Sequence, residues 1–85
     1  MRLILYSKPG CHLCEGLQEK LEQIHSLTFD LEIRDITTRD DWFQQYQYEI
    51  PVLMLEHIPL PRPSPRASVY QLEQMLQKYW NDPAQ

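Results

Sequence analysis

Two cysteines three positions apart, placed between an apolar run and a helical pattern, constrain the fold of this 85-residue chain more than any other feature. Residues 2–6 are mostly apolar and stop before Pro9-Gly10, which predicts a buried strand. The apolar residues that follow have helical spacing and are Leu13, Leu17, Leu21 and Ile24. Cys11 and Cys14 are therefore predicted to lie on the loop and the first turn of a helix that follows a strand.

The start of a helix is a favourable place for a thiolate, because it presents unpaired backbone N–H groups and the positive end of the macrodipole. Cys11, at the mouth, is expected to be the exposed nucleophile, and Cys14, one turn deeper, lies within disulfide reach. Such pairs typically have a thiol pKa of roughly 3.5–7.5, against about 8.5 for an ordinary cysteine. A drop of two units corresponds to about 2.7 kcal/mol, and the dipole contributes about 0.3–1 kcal/mol, or up to about 2 kcal/mol when partly buried. We therefore expect N–H donation to the sulfur, aided by Lys8 or His12, to supply the rest.

Two other uses of the cysteine pair fit the sequence less well. A structural zinc site needs four ligands, and the only histidines, which are His12, His25 and His57, lack the spacing of a zinc knuckle. A purely structural disulfide across so short a loop would add little stability. Redox chemistry is the leading interpretation, because the pair follows a predicted strand and opens a predicted helix.

Residues 6–14, Tyr-Ser-Lys-Pro-Gly-Cys-His-Leu-Cys, resemble the active-site segment of glutaredoxins. Their Cys-x-Leu-Cys form is similar to that of a short glutaredoxin-like group within the thioredoxin-like superfamily. Residues 49–52, Glu-Ile-Pro-Val, resemble the family's Thr-Val-Pro or Ile-Pro-Val segment. The resemblance implies a thioredoxin-like fold, a cis Pro51 that faces the cysteines, and thiol–disulfide exchange. Two features depart from the family, because His12-Leu13 replaces the usual Pro-Tyr and the later Gly-Gly is missing.

Length and charge narrow the organisation and the partners. A chain of 85 residues with 42% hydrophobic residues suits one domain, residues 1–85, with a modest core. The net charge is −4 and the eight Lys and Arg residues form no block, which disfavours nucleic acid as a partner. No apolar run reaches the length of a membrane span and the N-terminus lacks a cleavage pattern, so we expect a soluble cytoplasmic monomer. In a reducing compartment, two cysteines at this spacing make sense as a working dithiol.

The next segment alternates between helical and strand patterns. The first helix is predicted from residue 11 or 12 to about residue 26, with His25 at its end and without a chemical role. Residues 28–36 have alternating polarity and predict a half-buried strand that runs parallel to the first one. The apolar face of this strand is formed by Phe29, Leu31 and Ile33.

A short helix and a hairpin are predicted after this strand. Thr37-Thr38 followed by Asp40-Asp41 is typical of a helix start, and the aromatic face of the helix is interpreted as core packing. That face consists of Trp42, Phe43 and Tyr46. Residues 51–55 and 58–60 predict two strands joined by a tight turn at Glu56-His57. The strand pattern alone favours an ordinary trans Pro51, whereas the resemblance implies cis. If Pro51 is cis, the Ile50 backbone would face the Cys11 sulfur and pair, strand-like, with the chain that carries the target disulfide.

Residues 59–66 are biased towards proline and favour an extended surface loop, with a docking ligand for an aromatic groove as the less common alternative. Ser64-Pro65 is typical of an N-cap followed by the first helical residue, and predicts that the last helix starts there. Its inward residues are Val69, Leu72, Met75, Leu76 and Tyr79. Trp80 and Asn81-Asp82-Pro83 are expected to end it.

Together these elements predict an α/β, thioredoxin-like βαβαββα sandwich with a four-stranded mixed sheet. The function predicted is thiol–disulfide exchange by Cys11 and Cys14 on a protein or small-molecule disulfide, a form of electron transport. The residues expected to tune the site or bind the substrate are Tyr6, Lys8, His12, Ile50, Pro51, Ser64 and Arg66. The alternative is a module that binds a metal or an iron–sulfur cluster between two chains through the same sulfurs.

Glutathione binding is expected to be weak, and no metal or other cofactor is expected. The resemblance implies that Lys8 and the backbone at Pro51 would hold the tripeptide. The family's Gly-Gly is replaced here by approximately residues 61–63, where proline offers no N–H and blocks close approach. Ser64 with Arg62 or Arg66 could still receive a carboxylate.

Overall fold

The computed structural model describes residues 1–80 and contains a four-stranded sheet covered by helices. Its elements are β1 (Arg2–Ser7), α1 (His12–Leu21), β2 (Asp30–Asp35), a 3-10 helix (Ile36–Thr38), α2 (Asp40–Tyr46), β3 (Val52–Leu55), β4 (Ile58–Pro59) and α3 (Val69–Trp80). The strand order is β2-β1-β3-β4, with β1 parallel to β2 and antiparallel to β3, and β3 antiparallel to β4. The predicted thioredoxin-like βαβαββα arrangement with a mixed sheet is confirmed.

The central strand β1 supplies side chains to a separate core on each face of the sheet. Leu3 and Leu5 are fully buried in the core that α1 and α3 cover. Ile4 and Tyr6, which point the other way, are buried with Ile36 in the core beside α2. This alternation follows from the two-residue period of a strand, and each fully buried leucine contributes about 1.5–3 kcal/mol. The interpretation of the α2 aromatic residues as core packing is confirmed.

The first helix is shorter than predicted. It ends at Leu21, because the next backbone groups turn more tightly than an α-helix does. The Gln23 N–H donates to the Lys20 carbonyl at 3.1 Å, and the Ile24 N–H donates to the Leu21 carbonyl at 3.2 Å. Ile24 remains buried at 5% exposure, so the apolar spacing that predicted a longer helix reflects core packing beyond the helix end.

The prediction of a half-buried strand was only partly right. The strand begins at Asp30, so that Phe29 precedes it, and Leu31 is partly buried against the α1 and α3 core. Ile33, in contrast, is 38% exposed. β2 is an edge strand of the sheet and Ile33 lines a cleft beside α1, so the alternating pattern shows which way Ile33 points but not whether anything covers it.

The last helix begins four residues later than the predicted start at Pro65. Ser68 and Gln71 form a capping box, in which the Gln71 N–H donates to Ser68 Oγ at 3.1 Å and the Ser68 N–H donates to Gln71 Oε1 at 2.8 Å. Ser64 instead closes a turn, because its Oγ accepts from the Arg66 N–H and its carbonyl accepts from the Ala67 N–H. The predicted stop at Asn81-Asp82-Pro83 lies outside the described residues. Within residues 1–80, no helix is both long enough and apolar enough to cross a membrane.

Candidate active site

A tight turn leads the chain from β1 into α1 and determines where the cysteines lie. The Cys11 N–H donates to the Lys8 carbonyl at 3.2 Å, with Pro9 and Gly10 at the two central positions of the turn. Gly10 has φ of +83°, a conformation that the second central residue of a type II turn needs and that a Cβ would disfavour. The sequence Pro-Gly therefore places Cys11 at the entrance of the helix.

Cys11 and Cys14 form a disulfide across the first turn of α1, with their Cα atoms 5.3 Å apart. Cys11 is the N-cap residue, and its Sγ accepts a hydrogen bond from the Cys14 N–H at 3.2 Å. Cys14 is only 3% exposed, whereas Cys11 is partly exposed. The bonded pair thus has one partly exposed member, Cys11, and the sulfur of this residue also receives a backbone N–H at the positive end of a helix.

Two clefts flank the first turn of α1. The larger, about 260 Å³, lies between α1 and the end of β2. Its lining includes Lys8, Cys14, Ile33 and Asp35. The smaller, about 130 Å³, lies between α1 and the loop that precedes α3. Its lining includes His12, Leu13, Ser64 and Pro65. Both sides of the disulfide therefore have room for groups of a bound molecule.

The segment before β3 lies at the same end of the sheet as the disulfide. Tyr6 is opposite Val52 in the antiparallel register, so Pro51 lies level with Ser7, where β1 ends. The Ile50–Pro51 peptide bond is cis, as the resemblance implied, and Pro51 is buried. The structure thus brings this proline segment and the cysteine turn to one edge of the molecule.

The comparison with known families agrees with this arrangement. The family described as glutaredoxin-like domain (DUF836) matches residues 2–77, which run from the start of β1 into the last part of α3. The chain belongs to this glutaredoxin-like family. Comparison with curated proteins and with solved structures gave no significant match. Membership in the glutaredoxin-like family, together with the disulfide at the helix start, indicates thiol redox chemistry.

Tyr6 lies away from the glutaredoxin-like cysteine turn, on the face of the sheet that α2 covers. Its ring packs against Tyr46 with centroids 4.3 Å apart and meets Trp42 edge-on at 5.8 Å. Its hydroxyl accepts a hydrogen bond from Arg34 Nη1 at 2.8 Å. Burial, and after it the neighbouring Tyr6, raises the pKa of Tyr46. Tyr6 therefore lines neither of the two clefts beside the disulfide.

The Arg34 guanidinium joins this aromatic group to an edge-strand ion pair. It lies over the rings of Tyr6 and Trp42, at 5.5 and 5.3 Å from their centroids, and it also pairs with Glu32. The hydrogen bond between the two charged groups lowers the pKa of Glu32 and raises that of Arg34. This set stabilises the α2 side of the sheet, and none of its members lines either cleft beside the disulfide.

Two of the polar residues expected to tune the site are on the surface beside it. Lys8 is exposed and lines the larger cleft together with Cys14. His12 has a side chain that is 93% exposed, and its Nδ1 lies 3.6 Å from a Glu15 carboxylate oxygen. Both residues can therefore meet an approaching substrate.

The other expected residues lie in the loop before α3 or next to Pro51. Ser64 lines the smaller cleft, and Arg66 is exposed two residues later. The Ile50 N–H donates to the Tyr46 carbonyl at 3.1 Å, so this donor is already used within the protein. The expected strand-like pairing through Ile50 therefore lacks its N–H partner in this structure.

Two side chains near the site form long-range hydrogen bonds that the sequence did not predict. Lys20 Nζ donates to the carbonyls of Pro65 and Ala67, at 3.0 and 2.7 Å, and ties the loop to α1. Arg62 donates to the carbonyls of Glu49 and Ile50, at 3.3 Å each. No sequence pattern links residues that are 12, 13, 45 or 47 positions apart in this way. Among residues 1–80, no group of three or more His, Cys, Asp or Glu side chains is arranged to hold a metal ion.

Proposed function

We propose that the protein is a thiol–disulfide oxidoreductase in which Cys11 is the nucleophile and Cys14 the resolving thiol. The observation that carries the proposal is the disulfide between a partly exposed N-cap cysteine and a buried cysteine one turn deeper. Accessibility decides which sulfur a bulky disulfide can reach first. The hydrogen bond from the Cys14 N–H to Cys11 Sγ supports the same assignment, because a donor at that position stabilises a thiolate.

The reaction transfers two electrons in two exchange steps. The Cys11 thiolate attacks one sulfur of the target, so that the target S–S bond breaks, a Cys11–target S–S bond forms, and the other target sulfur leaves as a thiolate and takes up a proton. The Cys14 thiolate then attacks Cys11 Sγ, which breaks the mixed disulfide and releases the second target thiolate. The target is reduced to a dithiol, and the protein is oxidised to the Cys11–Cys14 disulfide.

The proposed substrate is a protein or small-molecule disulfide, bound without a metal or other cofactor by a monomer in the cytoplasm. In a reducing compartment the pair would be available as a dithiol. Lys8 and His12 are exposed beside the cysteines and would contact the target. Ser64 and Arg66 would contact it from the loop before α3, and Pro51 would contact it from the segment before β3.

A single-turnover experiment tests the proposal without needing the natural electron donor. The fully reduced protein is mixed with excess 2-hydroxyethyl disulfide at pH 7, quenched with acid, and analysed for intact mass. The proposal predicts loss of two hydrogens by the protein, and a Cys14→Ser variant that stops at the adduct. A wild-type protein that stays reduced over hours would overturn the proposal.

No observation favours the alternative of a metal or cluster shared between two chains. The metal content and the visible absorption spectrum of anaerobically purified protein test it separately. Stoichiometric metal or a cluster absorption band that a Cys11→Ser variant loses would support the alternative.

A further inference from the structure

The backbone beside the cysteine turn is already hydrogen-bonded within the protein. The N–H groups of Glu49 and Ile50 both donate to the Tyr46 carbonyl, at 2.8 and 3.1 Å, and Pro51 has no N–H. What this segment can offer to an incoming chain is therefore carbonyl oxygens. The Glu49 and Ile50 carbonyls are the ones that accept from Arg62.

Arg62 reaches these carbonyls from the proline-rich loop, with its neighbours Pro61 and Pro63 restricting the backbone on both sides. Its two terminal nitrogens each donate to a different carbonyl, so the guanidinium spans the segment as a fork. Both distances are 3.3 Å, beyond the usual 2.7–3.2 Å range for an N–H···O bond, and the side chain is exposed. The guanidinium therefore covers the two carbonyls only weakly, and a stronger hydrogen-bond acceptor would displace it from them.

A carboxylate is such a partner. Two parallel, charge-assisted bonds from a guanidinium to a carboxylate are shorter and stronger than two long bonds to neutral carbonyls. A target with an acidic residue next to its disulfide would draw Arg62 away from the Ile50 carbonyl. The freed carbonyl could then accept an N–H from the backbone of that same target, in the manner of an added strand.

We propose that Arg62 is a specificity residue that covers the Glu49 and Ile50 carbonyls and selects polypeptide disulfides flanked by a carboxylate. This inference rests on the proposed thiol–disulfide exchange and adds the class of target. A small disulfide without backbone N–H groups forms no hydrogen bond with the Glu49 and Ile50 carbonyls, so the Arg62 contact does not affect its reduction. A neutral peptide must break the hydrogen bonds of Arg62 to the two carbonyls and offers the guanidinium no carboxylate in exchange. An acidic peptide breaks the same bonds but replaces them with a carboxylate–guanidinium pair.

The test uses pre-reduced protein in single turnover against three disulfides. These probes are 2-hydroxyethyl disulfide and two synthetic peptides, each closed by one internal disulfide and differing only in a Glu or a Gln beside the first cysteine. The wild type is expected to reduce the Glu peptide about three- to tenfold faster than the Gln peptide. Arg62→Ala is expected to bring the ratio close to one and to speed up reduction of the Gln peptide about threefold.

Two further variants separate the cover from general charge effects. Arg62→Lys keeps the charge but cannot span both carbonyls. It should therefore reduce the Gln peptide faster than wild type, as Arg62→Ala does, and still reduce the Glu peptide somewhat faster than the Gln peptide. Lys78→Gln removes the same charge from the exposed last turn of α3, far from the cysteine turn, and should behave as wild type. Equal wild-type rates for the two peptides, or an Arg62→Ala variant that leaves the Gln peptide rate unchanged, would overturn the inference.

Failure of the inference and failure of the proposed function give different results. If the wild type reduces 2-hydroxyethyl disulfide but shows no preference between the peptides, the role of Arg62 is wrong and the exchange chemistry stands. If no probe is reduced, the exchange chemistry itself fails. If Arg62→Ala slows all three probes equally, Arg62 supports the fold of the site and the selectivity role is overturned.

Discussion

Ser68 and Gln71 hydrogen-bond each other in both directions at the start of α3, with the Gln71 N–H on Ser68 Oγ and the Ser68 N–H on Gln71 Oε1. Each side chain accepts a hydrogen bond from a backbone N–H that has no partner within the helix and would otherwise bond to water. Ser68→Ala is expected to lower the free energy of unfolding by about 1 kcal/mol. Urea denaturation followed by circular dichroism measures this change.

Ser64→Ala is the matched control for the capping experiment. Ser64 accepts only within the turn before the helix, so its loss should cost less than about 0.5 kcal/mol. A larger loss for Ser64→Ala than for Ser68→Ala would mean that the helix begins at Ser64-Pro65, where the sequence first predicted it.

Asp35 should make the stability depend on pH. Its carboxylate accepts from the side chain and the backbone N–H of Thr37, and these bonds, the side-chain one first, lower the pKa of Asp35. A lowered folded-state pKa means that the unfolded chain binds the proton more readily. The stabilisation is therefore present above the unfolded pKa of about 3.9 and is lost as the pH falls through the folded-state value. Wild type should exceed Asp35→Asn in urea midpoint at pH 7 and lose that advantage by pH 2.

Asp30→Asn serves as the control for this pH effect, because it removes an exposed carboxylate at the other end of the same strand. The difference in urea midpoint between wild type and Asp30→Asn should change less between pH 7 and pH 2 than the difference for Asp35→Asn does. If the difference in urea midpoint between wild type and Asp35→Asn is the same at both pH values, the hydrogen bonds from Thr37 do not cause the pH dependence.

Lys20 should hold the proline-rich loop in place. Its ammonium group donates to the carbonyls of Pro65 and Ala67, and one of these bonds is partly buried. Lys20→Met is expected to lower the free energy of unfolding by about 1–2 kcal/mol and to speed up hydrogen exchange at the Ala67 amide. Lys78→Met, which removes an exposed lysine from α3, should leave both quantities nearly unchanged. Equal exchange at Ala67 in the two variants would contradict the tether.

Local signals in the sequence predicted the part of the molecule that carries the chemistry. The apolar strand, the Pro9-Gly10 turn and the helical spacing after Cys14 are contiguous, so each can be inferred from nearby residues. The start of α3 was missed although its signal, a serine followed three residues later by a glutamine, is also local. The prolines before it provided a second, competing start at Ser64-Pro65.

What the sequence could not predict depends on the packing of distant segments. Ile33 has the right alternation for burial, but it remains exposed because β2 is at an edge of the sheet and a cleft lies between this strand and α1. Arg62 was considered as a partner for a carboxylate ligand, and the carbonyls that it contacts belong to a segment 12 or 13 residues earlier in the chain. Such contacts are set by how the loop folds back over the sheet, which no local pattern encodes.

Glutathione should be a poor electron donor for this protein. Residues 61–63, Pro-Arg-Pro, stand where the resemblance implies a Gly-Gly, so two of these three positions have no N–H for the tripeptide and the proline rings block its close approach. Loss of two or three ligand hydrogen bonds at roughly 1.5–3 kcal/mol each would weaken binding more than about a hundredfold. Turnover should therefore be low in a glutathione-coupled assay and higher with dithiothreitol. Turnover with glutathione equal to that of an ordinary glutaredoxin assayed alongside would contradict this prediction.

Cys11 should react faster with an alkylating agent than Cys14. Cys11 is the partly exposed N-cap residue, whereas Cys14 is 3% exposed. Rates of iodoacetamide labelling at pH 6 on the single-cysteine variants Cys14→Ser and Cys11→Ser provide the comparison, with labelling of the unfolded variants in urea as the control for intrinsic reactivity. Faster labelling of Cys14 in the folded protein would mean that the two roles are reversed.

The assignment of Cys11 as the nucleophile is tested most directly by trapping the mixed disulfide. Reduced Cys14→Ser and reduced Cys11→Ser variants are each incubated with the same disulfide, and the adduct is located by peptide mass spectrometry. The account predicts rapid, stable adduct formation on Cys11 in the Cys14→Ser variant and little adduct on Cys14 in the Cys11→Ser variant. Faster adduct formation on Cys14, or none on either cysteine, would contradict it.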